Sequence, residues 1–381
     1  MTNNYKIYIM MEINYSNVES QRFNMNILRG NCENINVREL QNTIIQNKAD
    51  IVILRLASKN SDQIQNLEKL GYEFFQADTL VYYISDFDKY VPKDIVNTDL
   101  EFVIANNDDK PVLKDLVSKI FEDYTNHYFS NKYLKKDKIL EGYAEWVINF
   151  IEDTTKKVFL VKKNGNAIGF ATCSLIDGVS EGVLYGILSD YAGGGIYSDI
   201  IRFTQNFYKN LGVKKMKVST QVQNFAVQKV WSREGFFMYE AYNTIHINPL
   251  LNYSVISEKR FSLKINKEMI EDYGKISSDY NHIHFDDDAA KNCGFNERIG
   301  HGLIAEGEIS RILGVEFPGN GTVFINNTNI FLAPLYASKN YTFSITVPFE
   351  IVEKEIYLCV IKVLDENGNV IMISYNNVIK K

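Results

Sequence analysis

The chain of 381 residues carries only four cysteines, Cys32, Cys173, Cys293 and Cys359, and no two of them form a C-x-x-C pair. That scatter excludes a Cys-based zinc site and a disulfide framework, and fits free thiols in a reducing compartment. No apolar run approaches the roughly 20 residues that span a bilayer. The opening stretch, MTNNYKIYIMMEINY, has no basic leader, no clean apolar segment and no small-residue cleavage site. A cytoplasmic protein without a membrane partner is expected. An excess of basic residues is also missing. The 41 Lys and Arg stand against 47 Asp and Glu, a net charge of −6, so nothing points to nucleic acid. The Gly193-Gly194-Gly195 triplet is not followed by Gly-Lys-Ser/Thr, and no G-x-G-x-x-G is present. A P-loop and a dinucleotide-binding fingerprint are therefore excluded as well.

What is present is 45% apolar and 13% aromatic residues, enough for substantial cores, over a length that suits two or three domains. The five histidines are unevenly spread. Three of them, His282, His284 and His301, fall within SSDYNHIHFDDDAAKNCGFNERIGHG, residues 277–302. Asp279 and His284 are five residues apart and flank Asn281. That spacing is too tight for a helix face and fits an irregular turn at a helix end. A carboxylate and an imidazole held together can polarise one water, each handling one proton. The acidic run Asp286–Asp288 reads as a helix cap and first turn. It has no further ligand set that would make it a metal site.

D-x-N-H-I-H-x-D, then A-x-x-x-G-F, then I-x-H-G-L-I, resembles the MaoC-type (R)-specific enoyl-CoA hydratases, which have a hotdog fold. The resemblance covers about residues 258–381. It implies Asp279 and His284 as the catalytic pair, the Gly302 amide on the thioester carbonyl, and Asn281 and Ser310 lining the substrate. It implies no metal, because the thioester itself activates the alkene. One departure is plain: His282 stands where the family usually has Pro, which loosens the backbone of the turn. Around the motif, EKRFSLKI reads as a first strand, KEMIEDYGKISS as a helix and AEGEISRILGVEF as a central helix, with Glu308 and Arg311 solvated. Three β runs come after it: 321–337, 341–369 and 370–380. Hotdog domains usually pair, so a homodimer through this region is expected.

The first 98 residues read as a small α/β unit. NVRELQNTIIQNKA has helical spacing and DIVILRLA is a continuous apolar run suited to a buried strand. NLEKLGYEFFQADTLVYYISD reads as a helix end, a Gly turn and two short strands. Residues 211–247 repeat this layout, aligning Gly71-Tyr72 with Gly235-Phe236 and Thr79 with Thr244. Residues 1–98 are therefore expected to be a degenerate half-copy of the domain after them.

Residues 99–250 read as that domain. An amphipathic helix, DKPVLKDLVSKIFEDY, is followed by a hairpin about Asn164-Gly165. Then come a strand, EGVLYGILSD, the glycine triplet leading into a long helix, a strand, VKKMKVSTQ, a helix, NFAVQKVWSREGF, and a last strand. The triplet lets backbone N–H groups turn inward, and a helix N-terminus behind it favours a pyrophosphate. This order resembles the GNAT N-acyltransferases, and with the half-copy it is similar to the subgroup that acylates amino sugars on nucleotide carriers. The resemblance implies that acyl-CoA lies against the splayed strand end at Ile187–Ser189, including Leu188. It places the pyrophosphate on the amides of Gly193, Gly194, Gly195 and Ile196, and Asn224 beside the pantetheine. Members of the family often carry a Tyr that protonates the leaving thiolate. Its position here is Trp231, so Tyr239 or a water is the substitute expected. His127, among the tyrosines of residues 121–157, is a candidate for binding the sugar or taking the amine's proton; His246 reads as an ordinary strand residue.

The fold expected is thus α+β: a GNAT acyltransferase fold with a degenerate GNAT-like N-terminal subdomain (1–98 and 99–250), a linker at 249–258, and a hotdog domain (258–381). The function expected is hydration of a short trans-2-enoyl-CoA to an (R)-3-hydroxyacyl-CoA, with transfer of the acyl group to an amine such as a nucleotide-linked amino sugar. Two other readings stay open: an acyltransferase with a hotdog kept for dimerisation, and a non-enzymatic acyl-CoA sensor.

Overall fold

A computed structural model describes residues 11–253, 259–351 and 354–381. The start of the chain, residues 254–258 of the expected linker and the first residue of the expected hotdog domain lie outside the described residues. Two compact units are present, one formed mainly by residues up to Asn248 and one mainly by Pro249–Lys381.

The first unit is built on ten strands. They are β1 (Glu12–Tyr15), β2 (Ile27–Cys32), β3 (Ile51–Ala57), β4 (Glu73–Asp86), β5 (Leu100–Ile104), β6 (Lys156–Lys163), β7 (Asn166–Ile176), β8 (Val179–Ile187), β9 (Lys215–Gln221) and β10 (Phe237–Asn248). Its helices are α1 (Asn17–Phe23), α2 (Val37–Gln46), α3 (Lys110–Ile120), α4 (Lys136–Glu152), α5 (Ile196–Asn210) and α6 (Phe225–Arg233). The sheet order is β1-β2-β3-β10-β4-β9-β8-β7-β6-β5. Side chains of β6 alternate, as a strand requires. Val158 and Leu160 pack with α3 and α4, whereas Phe159 and Val161 pack with α5 and α6. The sheet is therefore covered on both faces in this half. The hairpin expected at Asn164-Gly165 is present, with φ of 51° and 76° at the two turn residues.

Gly71 and Gly235 both have positive φ (75° and 78°), and the aromatic next to each, Tyr72 or Phe236, is 3% exposed. Yet the last strand of each half pairs with the other half: β10 lies against β3, and β4 lies against β9. The two exchanged strands are antiparallel neighbours at the centre of the sheet. The shift that takes Thr79 to Thr244 also takes Asp78 to Asn243, and Thr79–Asn243 and Asp78–Thr244 are both in register. The exchange is thus nearly two-fold symmetric. It also corrects one local expectation. The stretch after Gly71 is one strand of 14 residues rather than two short ones, because β10 pairs with it from Glu73 to Ile84 and β9 from Leu80 to Asp86. Residues 136–152, within the tyrosine-rich segment 121–157, form the helix α4, which buries Ile139, Ala144, Val147 and Phe150.

Under the shared strands lies a polar network that the sequence reading reduced to an ordinary strand position. Asn131 Nδ2 donates to His246 Nδ1 (3.0 Å) and to Asn248 Oδ1 (2.9 Å). His246 Nδ1 is then an acceptor, so its Nε2 carries the hydrogen and donates to His127 Nδ1 at 2.9 Å. Both imidazoles are buried, which disfavours their charged forms. Burial pushes the His246 pKa down to about 3, and burial together with its neighbour His246 pushes His127 well down.

The second unit holds β11 (Lys259–Lys264), β12 (Thr322–Phe331), β13 (Asn340–Ile351), β14 (Ile356–Leu364) and β15 (Val370–Lys380), all antiparallel in the order β11-β13-β14-β15-β12. The β run expected at 341–369 is two strands. The helices are α7 (Lys267–Ser277), α8 (His282–Phe285), α9 (Asp287–Asn292) and α10 (Gly302–Arg311). Ile304, Ala305 and Ile309 of α10 are buried in one cluster with Phe343, Ile361, Val363 and Met372 of the sheet. Each large aliphatic side chain so buried contributes about 1.5–3 kcal/mol. Glu308, expected to be solvated, keeps only 9% side-chain exposure, because Arg311 grips it through Nε (2.9 Å) and Nη2 (2.8 Å).

The neutral histidine pair makes the first unit acid-sensitive. Folded pKa values lie below the unfolded value of about 6.5, so the unfolded chain binds more protons once the pH falls below it. The contribution is intact above about pH 6.5. It is lost on acidification toward pH 3 at up to about 1.4 kcal/mol per pH unit for each histidine. The urea midpoint should fall between pH 6.5 and 4, and less steeply for His246→Gln.

Candidate functional site

In the second unit the functional bend starts where α7 stops. Ser278 is in the left-handed region (φ 59°) and its N–H bonds to Gly274 O at 2.8 Å, closing the helix. The next residues are held by side chains. Asp279 Oδ1 accepts the Asn281 N–H (3.2 Å), and Asn281 Oδ1 accepts the Ile283 N–H (3.3 Å), capping the single turn of α8. These two Asx turns do what a proline at 282 would otherwise do. Asn281 is exposed and acts here as a cap.

The turn of α8 delivers His284, 8% exposed, whose Nδ1–H donates to Ile299 O at 2.8 Å. The tautomer is thereby fixed, leaving a lone pair on Nε2. Asp279 keeps Oδ2 free, on a side chain 49% exposed. A third group joins them from 22 residues away. His301, 3% exposed, stacks on His284 with ring centroids 3.9 Å apart and an interplanar angle of 27°. One ligating atom from each of Asp279, His284 and His301 lies within 4.8 Å of the others. A hydrogen bond spans about 2.8 Å, so a single water can touch both the carboxylate and the imidazole. The same trio suggests a two-His, one-carboxylate metal site. Stacked rings, however, send their lone pairs side by side, and each ring already spends one nitrogen on a carbonyl.

Gly302 is the first residue of α10, where a helix leaves its N–H without an intrahelical partner. A Cβ here would lie 2.5 Å from the Phe331 ring, so glycine lets that ring close over the start of the helix. Ser310 is exposed and sits about 12 Å further along the axis of α10, which separates it from the pair.

In the first unit, β8 and β9 run parallel and paired only from Val179–Lys215 to Gly182–Val218. Beyond that point β8 stays with β7 to Ile187 and β9 stays with β4 to Gln221, so the two strands part. The irregularity between Thr172 and Cys173 in the β7–β8 register leaves Val183 bulged where they part. The slot so opened is lined by Tyr124, Gly182, Tyr185, Tyr197, Thr220, Asn224 and Trp231 among others. Asn224 Nδ2 donates to Thr220 Oγ1 at 3.1 Å. A larger cleft of about 350 Å³ adjoins it, lined by Ile187, Gly193, Gly195, Ser198, Val230 and Arg233.

Gly193, Gly194 and Gly195 are exposed at the N-terminus of α5, with open space around the first two. Gly195 adopts φ 78° as the cap of α5, while the side chain of Ile196 is buried. Leu188 lines neither cleft, and its N–H bonds to Ile168 O at 2.9 Å. Trp231 is 4% exposed, packs on Tyr83 and has an Nε1 without a partner. Tyr239, the expected substitute acid, lies on β10 against Tyr82 and lines neither cleft. Tyr124, which donates to Gln221, and Tyr197 do line the slot. His127 is turned into the network with His246 and lines neither cleft. Sequence reasoning missed His301, Arg233, Tyr124 and Tyr197. His301 stood inside the motif and offered a signal; the other three offered none without coordinates.

Residues 117–236 match the Acetyltransferase (GNAT) family, and residues 255–347 match the MaoC like domain. An (R)-specific enoyl-CoA hydratase of Rhodospirillum rubrum is 34% identical over 83 residues, 22% of this chain and 58% of that protein. The chain spans about half to three-fifths of the length of three curated relatives that it matches. The solved (R)-hydratase from A. caviae is 21% identical, covering 34% of this chain and 98% of its own, with a TM-score of 0.32. A GCN5-related N-acetyltransferase from Sphaerobacter thermophilus is 12% identical, covering 62% and 75%, with a TM-score of 0.44. The chain thus carries a GNAT acetyltransferase domain followed by a MaoC-like hotdog domain.

His282 occupies the first helical position of α8, and Asn281 before it has φ −57° and ψ 127°, a conformation that a proline at the next position accepts. His282→Pro should therefore stabilise the protein by about 0.4–1 kcal/mol, read from urea unfolding.

Proposed function

We propose that the chain is a two-site enzyme of CoA thioesters. The hotdog domain would hydrate a short trans-2-enoyl-CoA, crotonyl-CoA being one such, to an (R)-3-hydroxyacyl-CoA. The GNAT domain would transfer an acyl group to an amine, with a nucleotide-linked amino sugar as acceptor. The observation that carries the hydratase reading is the Asp279–His284 pair, near enough to share a water, with the lone pair of His284 Nε2 left unspent. The (R)-specific hydratase relative supports it.

In this mechanism Asp279 and His284 hold the water. Its proton passes to one of them as its oxygen bonds to the β-carbon, and the pair returns a proton to the α-carbon. The net change is H and OH added across the double bond, with both side chains restored. The Gly302 N–H, at the positive end of α10, stabilises the enolate-like oxygen. Asn281 holds the bend, and Ser310 is reserved for the distal part of the substrate. No metal takes part.

In the GNAT domain the amides of Gly193 to Ile196 would take the pyrophosphate, with Arg233 on the rim of the cleft as counter-charge. The pantetheine would enter where β8 and β9 part, beside Asn224, and point its thioester toward Tyr124 and Tyr197. One of these hydroxyls would return a proton to the departing thiolate, the role Trp231 cannot fill. His127 would support the acceptor pocket from beneath, through His246. We further propose that residues 1–98 derive from a GNAT-like half-copy, and that the hotdog domain forms a homodimer in the cytoplasm. Support for the dimer is β12, an edge strand with Val323, Ile325 and Phe331 about half exposed.

Asp279→Asn and His284→Gln should each lower enoyl-CoA hydration by about 10²–10⁴-fold. Loss of the ultraviolet absorbance of the conjugated thioester measures this, and unchanged rates would overturn the hydratase reading. Acyl transfer is tested by mass spectrometry of products from acyl-CoA and a panel of amino sugars, free and nucleotide-linked. Gly194→Asp, which has room for its side chain, should raise the KM for acyl-CoA about tenfold and leave kcat nearly unchanged.

A further inference from the structure

We propose that His301 is a positioning residue for the hydration site. In this role it sets the distance between Asp279 and His284 by holding the Asp279 backbone carbonyl through Nε2, beside a His284 that Ile299 already fixes. The proposal rests on the hydratase reading of the same site.

Nε2 of His301 lies 3.0 Å from the backbone carbonyl of Asp279. A carbonyl only accepts, so Nε2 carries the hydrogen and Nδ1 carries the lone pair. That Nδ1 is buried without a hydrogen-bond partner. Buried polar atoms almost always have partners, so the ring is held where it is by its other contacts rather than by its own full satisfaction. Those contacts are specific. One face of His301 stacks on His284, and the Tyr273 and Phe285 rings approach to 4.7 Å and 5.8 Å. Its Nε2 is also 3.8 Å from Asp279 Oδ2, the oxygen left free for water.

The consequence is geometric. Asp279 stands on a bend with an exposed side chain and no helical hydrogen bonds of its own. The Asx turns tie the bend to α8, and among the described residues only the His301 bond ties the Asp279 carbonyl to the start of α10. His284 is fixed by Ile299, two residues before His301. Residues 299–301 are themselves anchored: Gly300 N–H bonds to Leu335 O at 2.6 Å, and Ile299 pairs with Tyr336. One short segment therefore locates the imidazole, the carboxylate and the Gly302 amide together. Burial keeps the His301 pKa below its ordinary value, consistent with a neutral ring that can stack on His284 even when His284 holds a proton.

Two substitutions separate the parts of this role. His301→Gln keeps a donor near the position of Nε2 but loses the ring. His301→Phe keeps the stack but loses the donor. With the full-length protein and crotonyl-CoA, the Phe variant should lose about 100-fold in kcat with KM within about threefold, the scale of a misplacement near 1 Å. The Gln variant should retain kcat within about fivefold. Crystal structures of both variants should show the Asp279 bend displaced for Phe and in place for Gln. Wild-type kcat in the Phe variant, equal losses in both variants, or an undisplaced bend in the Phe variant would each overturn the proposal. If the wild-type protein hydrates no enoyl thioester, the functional reading fails, and the two crystal structures alone then decide the positioning role.

Discussion

Backbone N–H and C=O groups inside a protein must find partners, and both candidate sites exist because a few of them are denied the nearest one. In the first unit β8 and β9 stop pairing after Gly182 and Val218 while each keeps its outer neighbour. In the second unit α10 begins at Gly302 with a first turn that its own helix cannot satisfy. A CoA thioester carries a carbonyl, an amide-bearing arm and a pyrophosphate, all of which accept hydrogen bonds or run alongside a strand. Two unrelated scaffolds in one chain have thus arrived at the same kind of opening: a strand or helix end held rigid by everything except the partner it lacks.

The exchange of β4 and β10 supplies much of that rigidity in the first unit. β9 can leave β8 because β4 holds it along its whole length, from Lys215–Asp86 to Gln221–Leu80. β4 comes from the N-terminal half, so that half props open the slot of the other. The exchange also explains why a buried His246 is tolerated. It sits where strands of both halves meet, and Asn131 and His127 reach it from the segment after α3.

Much of the local structure was legible in the sequence because it is written in short spacings. Asn164-Gly165 specifies a hairpin, Gly71 and Gly235 mark matched turns, and Asp279 and His284 flank a cap residue. What stayed hidden is non-local. Nothing near residue 79 or 244 announces that their strands change places, since each would fit its own half equally well. Glu308 reads as a surface residue until Arg311 and the fold around α10 close over it. His301 lay in plain view in the His-Gly pair, but its role depends on a chain return that brings it 3.9 Å from His284. Tyr239 shows the converse: order along the chain suggested it, whereas the tyrosines that line the slot, Tyr124, Tyr185 and Tyr197, come from other elements.

The strand exchange also bears on how the protein is made. The neighbour that covers β3 lies about 180 residues further along the chain, so a ribosome adding roughly 5–20 residues per second leaves that edge bare for about 10–40 seconds. Four of its seven residues, Ile51 to Leu54, form an uninterrupted apolar run. A nascent chain of this design leaves that strand edge unpaired until its distant mate emerges, an exposure that stems from topology rather than from marginal stability.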